Sequence, residues 1–406
     1  MYKNICFVIL FVISLIASAQ PVQKDTALFR QFKPGYIVNE VLKDTALAEK
    51  IKESGKMEFK MDFSKVDAPA DTGEFIRFRH NSPVSQGLTG TCWCFAAVSF
   101  FESEIFRICG KDVRLSEMWV VYWEYMERAE TFIRDSGDVY FAQGSESNAV
   151  PKIWKKYGIV PIEAYPGKEN AFHDHCQMFA EMKKVLDKAK SSNLWDEKVV
   201  MPEIKAILNR HLGTPPDSFL YRERYITPIE FRDDVVKIKI HHYHSFMSTS
   251  EKGYYEKHEL EEPDNWWHDK NYYNIPLGEY MDLIKNALKD SFTIAICGDI
   301  SEPGFNSFND IAVVPAFDIP PDYIDESARQ HRLQNKSTTD DHCVHLVGYQ
   351  EKDGVTWFLV KDSGGSGFNG SFKGYCFYHE DYVKLKMMNL LMHRDAAGKV
   401  LGRIIK

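Results

Sequence analysis

An apolar run from Cys92 to Phe106 follows a short turn that contains Gly87 and Gly90. The length of this run and its nearly continuous apolar character predict a buried helix, with Cys92 at its start. The first turn of a helix carries unpaired N–H groups and a partial positive charge, which favour the thiolate form of a cysteine. The sequence therefore predicts a fold built around a central helix that presents a nucleophilic thiol at its N-terminus.

The residues that would complete a nucleophilic site are far from Cys92 in the sequence. Asp341-His342 precedes one apolar stretch, and Asp362 follows another. A cysteine with a distant histidine and a distant Asx residue is typical of a cysteine hydrolase that folding assembles. Gln86 could donate a hydrogen bond from its side-chain amide to a developing oxyanion. We predict Cys92, His342, Asp362 and Gln86 as catalytic residues, and we expect no metal and no cofactor.

Helical patterns dominate the first half of the chain, and strand patterns dominate the second half. Helices are expected from Ser116, which would cap the helix, and over 148–157, 186–212 with an interruption near Pro202, and 277–289. Strands are expected at 235–240, 292–297, 344–349, 357–360, 375–378 and 387–392. Helices followed by a twisted antiparallel sheet indicate an α+β protein with a cleft between two lobes.

The division of the chain follows from these patterns. We expect a signal peptide over 1–19, an N-terminal arm over 20–74 and one large domain over 75–406. Within that domain, residues 75–220 form a mainly helical lobe, 221–290 an insertion and 291–406 a β-rich lobe. The arm has a helical pattern near residues 43–56, and a structural role for it is favoured over that of an inhibitory propeptide.

The first twenty residues have the pattern of a secretory signal. A short positive start is followed by an apolar run over 5–16 and by the small-residue site Ala17-Ser18-Ala19. The run is shorter than the ~20 residues of a membrane span, and an uncleaved anchor is the alternative. We expect a secreted or periplasmic protein without stable membrane insertion. The net charge of −8 argues against a general nucleic-acid binder.

Several segments resemble papain-like cysteine peptidases, and within them the bleomycin hydrolase and aminopeptidase C branch. The matching segments are Gln86 with Cys92-Trp93, Leu115-Ser116-Glu117, Lys156 to Pro161, Thr227 to Phe231, Asp341 to Tyr349 and Gly374 to Phe377. The resemblance implies a papain-like two-lobed fold, with a helical lobe and an antiparallel β-barrel-like lobe. It also implies an aminopeptidase that acts on peptides through a thioester acyl-enzyme. Relatives form hexamers, but the catalytic motifs do not carry this assembly over to the present chain, so a homo-oligomer stays an open alternative.

Two residues depart from the family pattern. Papain relatives usually have Asn-Ser-Trp-Gly where this chain has Asp362-Ser363-Gly364-Gly365. The charge of Asp362 would raise the pKa of His342, and Gly364 cannot shield the pair from water as the tryptophan does. A functional but altered site is favoured, and a catalytically inactive peptide-binding protein is the alternative. The C-terminal tail does not match the family ending, so exopeptidase and endopeptidase activity both stay open, as does acyl transfer to other amines.

For the remaining cysteines and histidines, we prefer a role in packing or in solvated loops over a catalytic or metal-binding role. The family resemblance implies that Cys109, Cys297, Cys343 and Cys376 are free core cysteines, and Cys94 is also expected in the core. His345 is expected to pack inside the fold. Two histidine clusters, His241-His242 with His244 and His173 with His175-Cys176, are expected in solvated loops and not at a metal. Trp266-Trp267 could line a substrate groove or pack the insertion.

Overall fold

The computed structural model describes residues 25–43, 45–167 and 172–404. The helices of two or more turns are α1 Ala46–Glu53, α2 Cys92–Cys109, α3 Glu117–Arg134, α4 Ala149–Tyr157, α5 Cys176–Ser191, α6 Glu197–Leu212, α8 Leu277–Lys289, α9 Glu326–Gln334, α10 Glu380–Lys386 and α11 Gly398–Ile404, and α7 Pro228–Glu230 is a single turn. The predicted helices at 148–157 and 277–289 are thus confirmed. Ser116 caps α3 as expected, because its side chain accepts a hydrogen bond from the Trp119 amide at 2.9 Å.

The strands are β1 Ala27–Gln31, β2 Met57–Met61, β3 Ile76–Arg77, β4 Phe219–Tyr221, β5 Arg224–Ile226, β6 Tyr243–Met247, β7 Glu256–His258, β8 Tyr272–Asn274, β9 Ile294–Gly298, β10 Phe305–Asn306, β11 Ile311–Ala312, β12 His342–Lys352, β13 Val355–Lys361, β14 Tyr375–His379 and β15 Met387–His393. One large sheet has the order β10-β11-β14-β13-β12-β9-β15-β6-β8-β7, with β3 beside β12. Two of its pairs, β11 with β14 and β6 with β8, are parallel. The described strands form an open mixed sheet, and this replaces the expected barrel-like antiparallel lobe.

The two faces of the sheet belong to two hydrophobic cores. On one face, Cys297, Cys343 and Leu391 pack with the buried residues of α2, α3 and α4. On the other face, Val344, Leu390 and their neighbours pack against α8 and α11. The central strand β12 therefore lies between α2 and α8, and its first residue stands at the edge of the helical layer. This arrangement is the α+β architecture that the sequence predicts.

Residues 235–240 do not form the predicted strand. A capping box of Thr227 and Glu230 starts α7, and the helical backbone continues as a π-helical turn over Phe231–Val236. Lys237 then adopts the left-handed conformation with φ of 57°, which an extended strand excludes. In this segment the valine and isoleucine side chains pack against the helical core. Their alternation with lysine therefore reflects this burial and not the pairing of a strand.

The helical region at 186–212 is interrupted, but not at Pro202. Pro202 lies inside α6, whereas α5 ends at Ser191 and α6 begins after Asp196. The Asp196 side chain accepts a hydrogen bond from the Lys198 amide at 2.9 Å, so it caps the new helix. A left-handed Asn193, with φ of 52°, reverses the chain between the two helices. The break therefore comes from capping chemistry and not from the proline.

Cys297 and Cys343 are joined by a disulfide, which contradicts the expectation of two free thiols. The antiparallel register of β9 and β12 places Cys343 directly opposite Cys297. The other cysteines in the described part of the chain are free, namely Cys92, Cys94, Cys109, Cys176 and Cys376. The pairing depends on strand register across 46 positions, which no local pattern reveals.

The N-terminal arm packs on the β-rich part of the chain. β1 and β2 form a two-stranded sheet, and the Lys60 ammonium donates to the carbonyls of Glu302 and Phe305. The predicted signal peptide lies outside the described residues. Within those residues, we find no helix with both the length and the apolar character needed to span a bilayer.

Candidate active site

Cys92 is the first residue of α2 and is partly exposed. Thr91 precedes the helix without a side-chain cap, and its backbone carbonyl accepts from the Cys94 amide at 3.0 Å. The next residues point inward: Trp93 donates from its indole to the Gln143 carbonyl at 3.2 Å, and the Cys94 thiol donates to the Glu117 carbonyl at 3.3 Å. Burial raises the pKa of Cys94 well above its usual value. Cys94 is therefore a core residue, as expected.

His342 is the first residue of β12, and its ring connects Cys92 to Asp362. Nε2 of the imidazole lies 2.7 Å from Oδ1 of Asp362, and the ring is close enough to Cys92 for their charges to interact. Burial alone would lower the pKa of His342, but the charges of Asp362 and Cys92 and the hydrogen bond to Asp362 outweigh it. The net effect holds the pKa of His342 well above its usual value. The three segments thus converge in the order thiol, imidazole, carboxylate.

Asp362 is held in a tight glycine-lined loop after β13. Oδ1 also accepts from the Gly364 amide at 2.7 Å, and both Asp362 and His342 are almost fully buried. A Cβ on Gly364 would lie 2.9 Å from Cε1 of His342, and one on Gly367 would lie 2.8 Å from Oδ2 of Asp362. Because contacts this short are avoided, the loop has no room for side chains at these two positions. The expectation that Gly364 leaves the pair exposed to water is therefore wrong.

The N-terminal arm covers this loop on its outer side. The Tyr36 amide donates to Oδ1 of Asn369 at 2.6 Å, and the Tyr36 ring lies 5.2 Å from that of Phe368. Ile37 fills the space in front of Gly365, where a Cβ would approach its Cγ1 to 2.3 Å. The arm thus packs against the segment that follows Asp362 and stabilises it. Shielding that a tryptophan gives in papain relatives comes here from close backbone packing and from the arm.

Gln86 is buried and tied to the loop that carries Asp362. Its Oε1 accepts from the Ser363 hydroxyl at 2.8 Å, and its backbone amide donates to the Ser363 carbonyl at 2.9 Å. One N–H of its side-chain amide donates to the Thr89 carbonyl at 2.7 Å. Within the described part of the chain, the second N–H has no hydrogen-bond acceptor. The turn that follows requires Gly87, whose φ is 72° and whose Cβ would lie 2.2 Å from the His173 carbonyl oxygen.

A model of the Peptidase C1-like family matches residues 141–403 of the chain. The chain belongs to the Peptidase C1-like family. The matched range contains His342 and Asp362, whereas Gln86 and Cys92 precede it.

Relatives of this C1-like peptidase support the same assignment. Aminopeptidase C of Lactobacillus delbrueckii subsp. lactis is 23% identical over 375 residues, covering 80% of this chain and 83% of the relative. Aminopeptidase C of Lactobacillus helveticus is 21% identical over 396 residues, covering 85% of each chain. The crystal structure of PepW from Lactobacillus rhamnosis HN001 aligns with a TM-score of 0.68 at 18% identity, covering 90% of this chain and 92% of PepW. The fold is papain-like, and the protein is a cysteine-type peptidase.

The remaining histidines of this C1-like peptidase lie apart from the site. His345 is fully buried, its Nδ1 is 2.8 Å from the Ser99 hydroxyl, and burial lowers its pKa, so packing is its role. His175 is also buried, which lowers its pKa to about 3, so the expectation of a solvated loop residue is wrong for it. Among the described residues, neither histidine cluster places three ligand atoms within 4.8 Å of one another.

Trp266 and Trp267 attach the insertion to α3. Both indole N–H groups donate to Oε1 of Glu124, at 2.7 and 3.1 Å, and burial raises the pKa of that carboxyl. This geometry supports a structural role for both tryptophans, which pack the insertion against α3.

The sequence interpretation missed acidic residues beside the site, namely Glu146 and Asp340. Asp340 stands two positions before His342, which is the one local signal that could have indicated it.

Proposed function

We propose that the protein hydrolyses peptide bonds through a Cys92 thiolate, with His342 as the proton carrier and Asp362 as the residue that orients the imidazole. The observation that carries the proposal is the hydrogen bond of 2.7 Å between Nε2 of His342 and Oδ1 of Asp362, on a ring close enough to Cys92 for their charges to interact. Nε2 of the ring is occupied by Asp362, so Nδ1 is the nitrogen left to exchange a proton with the thiol.

The chemistry follows in two halves. His342 takes the Cys92 proton, the sulfur attacks the peptide carbonyl, and the resulting oxyanion accepts from Gln86 and from the Cys92 amide. The imidazolium protonates the leaving amine, the C–N bond breaks and a thioester forms. His342 then removes a proton from water, the hydroxide attacks the thioester, and Cys92 leaves as the thiol after the proton returns. The carboxylic acid product is released.

We also propose that the substrates are peptides with a free N-terminus, because the relatives named above are aminopeptidases. The last described helix, α11, is fixed on α8 by the pair Arg403–Glu279 at 2.6 Å and by burial of Val400 and Leu401.

A panel of coumarin amides tests this proposal. We expect alanyl and leucyl amides with a free amine to be cleaved with kcat/KM at least about tenfold above their N-acetyl forms, a difference of ~1.4 kcal/mol in transition-state binding. Equal cleavage of free and acetylated substrates would assign endopeptidase activity, and no cleavage of either form would contradict the peptidase proposal.

The raised pKa of His342 leads to a prediction for Asp362→Asn. Because the reactive pair needs a protonated imidazole, activity is lost at alkaline pH as His342 deprotonates, and the charge of Asp362 moves that loss to higher pH. The substituted asparagine still has a carbonyl oxygen, which can accept hydrogen bonds from the His342 ring and from the Gly364 amide. We expect kcat/KM at its optimum to fall by less than about tenfold, while the alkaline limb moves to lower pH. An unmoved alkaline limb in the measured pH profile would show that the carboxylate charge does not act on His342.

We propose that residues 1–19 are removed on export and that the mature protein resides in the periplasm or the medium. N-terminal sequencing of the exported protein should then begin at Gln20, and an exported chain that retains Met1 would contradict this.

A further inference from the structure

Two acidic side chains, one buried and one partly exposed, form a cluster beside the proposed catalytic residues. Glu146 lies in the loop before α4, and Asp340 lies just before β12. Between them stands Asn389 of β15, whose side-chain amide donates to Oε2 of Glu146 at 3.1 Å and to Oδ2 of Asp340 at 2.8 Å. We call Glu146, Asp340 and Asn389 the acidic cluster.

The sheet register explains why the acidic cluster adjoins the site. Asn389, Cys297 and Cys343 occupy one row across β15, β9 and β12, next to the row that begins with His342. The carboxylate of Glu146 lies within 4.8 Å of both disulfide sulfurs. The disulfide therefore lies next to the Glu146 carboxylate, and its Cys343 directly follows His342 in the sequence.

The acidic cluster has more hydrogen-bond acceptors than donors. Asn389 supplies its two N–H groups, and Oε1 of Glu146 is buried without a donor among the described residues, although Glu146 is only 1% exposed. A buried carboxylate oxygen without a donor is costly, so the cluster is suited to a ligand that donates hydrogen bonds.

The charges around the acidic cluster have the same sign. Burial, followed by the nearby charge of Asp264, raises the pKa of Glu146 to about 8, and burial together with Glu146 raises that of Asp340. The basic Arg128 is engaged by the carbonyls of Tyr140, Ala142 and Gly144, and Lys336 lies 3.6 Å from Glu262. These basic groups are therefore already engaged with other acceptors.

Asp340 is the exposed member of the acidic cluster. Glu146 is sealed, whereas Asp340 keeps part of its surface exposed, and the Asp340 carboxyl lies close enough to Cys92 for their charges to interact. A ligand that reaches the cluster would therefore contact Asp340 before Glu146.

We propose that Glu146 and Asp340 bind an ammonium group of the substrate next to the scissile bond. An ammonium brings three N–H donors and a positive charge, which match the unpartnered oxygen and the paired carboxyl groups. This inference rests on the proposed peptidase function and deepens it. The ammonium has two sources, the free α-amino group of the peptide or the side chain of a lysine near the cleaved bond.

Matched substrates separate these two sources. Alanyl-coumarin amide is compared with its propionyl analogue, which lacks only the amine. Acetyl-lysyl-alanyl-coumarin amide is compared with acetyl-norleucyl-alanyl-coumarin amide, which lacks only the side-chain charge. The variants are Glu146→Gln, Asp340→Asn and both together, and Glu262→Gln serves as the control because that carboxylate already faces Lys336.

We expect either variant to lower kcat/KM by about 10- to 100-fold for the substrate that carries the bound ammonium, mainly through KM. The uncharged partner substrate and the control variant should change by less than about threefold. Loss confined to the alanyl amide assigns the α-amino group, and loss confined to the lysyl substrate assigns the side chain.

Equal losses for charged and uncharged substrates, or no loss in either variant, would overturn the ammonium site. Thermal unfolding of each variant guards against misfolding, and Asp340→Asn tests the proposal separately at a more exposed position. If the wild-type enzyme cleaves none of the substrates, the proposed function fails, and that result differs from cleavage that is indifferent to charge.

Discussion

Replacing Cys92 with alanine is expected to lower kcat for peptide hydrolysis by at least about 10⁴-fold, the scale seen when a nucleophile is removed from a hydrolase. Gln86 and the first-turn amides of α2 would still bind the carbonyl, but no covalent intermediate could form. Because Cys92 is partly exposed at the N-terminus of α2, removal of its thiol leaves no large cavity. We expect the free energy of unfolding to change by less than about 0.5 kcal/mol.

Cys176→Ala is the matched control, because Cys176 is an exposed free cysteine at the start of α5. This variant should keep full activity. A thiol-directed epoxide, followed by peptide mass mapping, should label Cys92 in the wild-type protein, and the label should be lost in His342→Ala. Activity above a tenth of wild type in Cys92→Ala, or labelling of Cys176 alone, would show that the nucleophile lies elsewhere.

Local patterns were sufficient for the main helices and for the components of the site. The apolar run after Cys92 predicts α2, and the capping serine before Glu117 predicts the start of α3, because both signals are contained in a few neighbouring residues. Cys92 and His342 are predicted as site residues from the same kind of local signal, since each stands at the boundary of an apolar element, and their roles stay a prediction.

Features that depend on long-range register could not be inferred in this way. The Cys297–Cys343 bridge exists because β9 and β12 pair in one particular alignment. The acidic cluster needs three distant segments to meet, and neither Glu146 nor Asn389 has a sequence neighbour that signals this. The burial of Asp362 was also misjudged, because the tight loop at Gly364 and the covering arm are tertiary features.

The disulfide leads to the second large prediction. It links residues separated by 46 positions, and in the chain-entropy model a loop of that length restricts the unfolded chain by about 4 kcal/mol. We expect the double variant Cys297→Ala with Cys343→Ala, and the reduced wild-type protein, to lose about 2–4 kcal/mol of unfolding free energy. Urea denaturation with and without a reductant measures this difference, and the double variant should not respond to the reductant.

Thiol titration gives an independent readout of the same bond. Residues 20–406, the mature chain under the export proposal above, contain seven cysteines, and the structure leaves Cys92, Cys94, Cys109, Cys176 and Cys376 as free thiols. Denatured, unreduced protein should therefore react at five sites and reduced protein at seven. Seven reactive thiols before reduction would show that the bridge is absent. Because Cys343 follows His342 directly, loss of the bridge should also loosen the start of β12, where the catalytic imidazole and Asp340 are positioned.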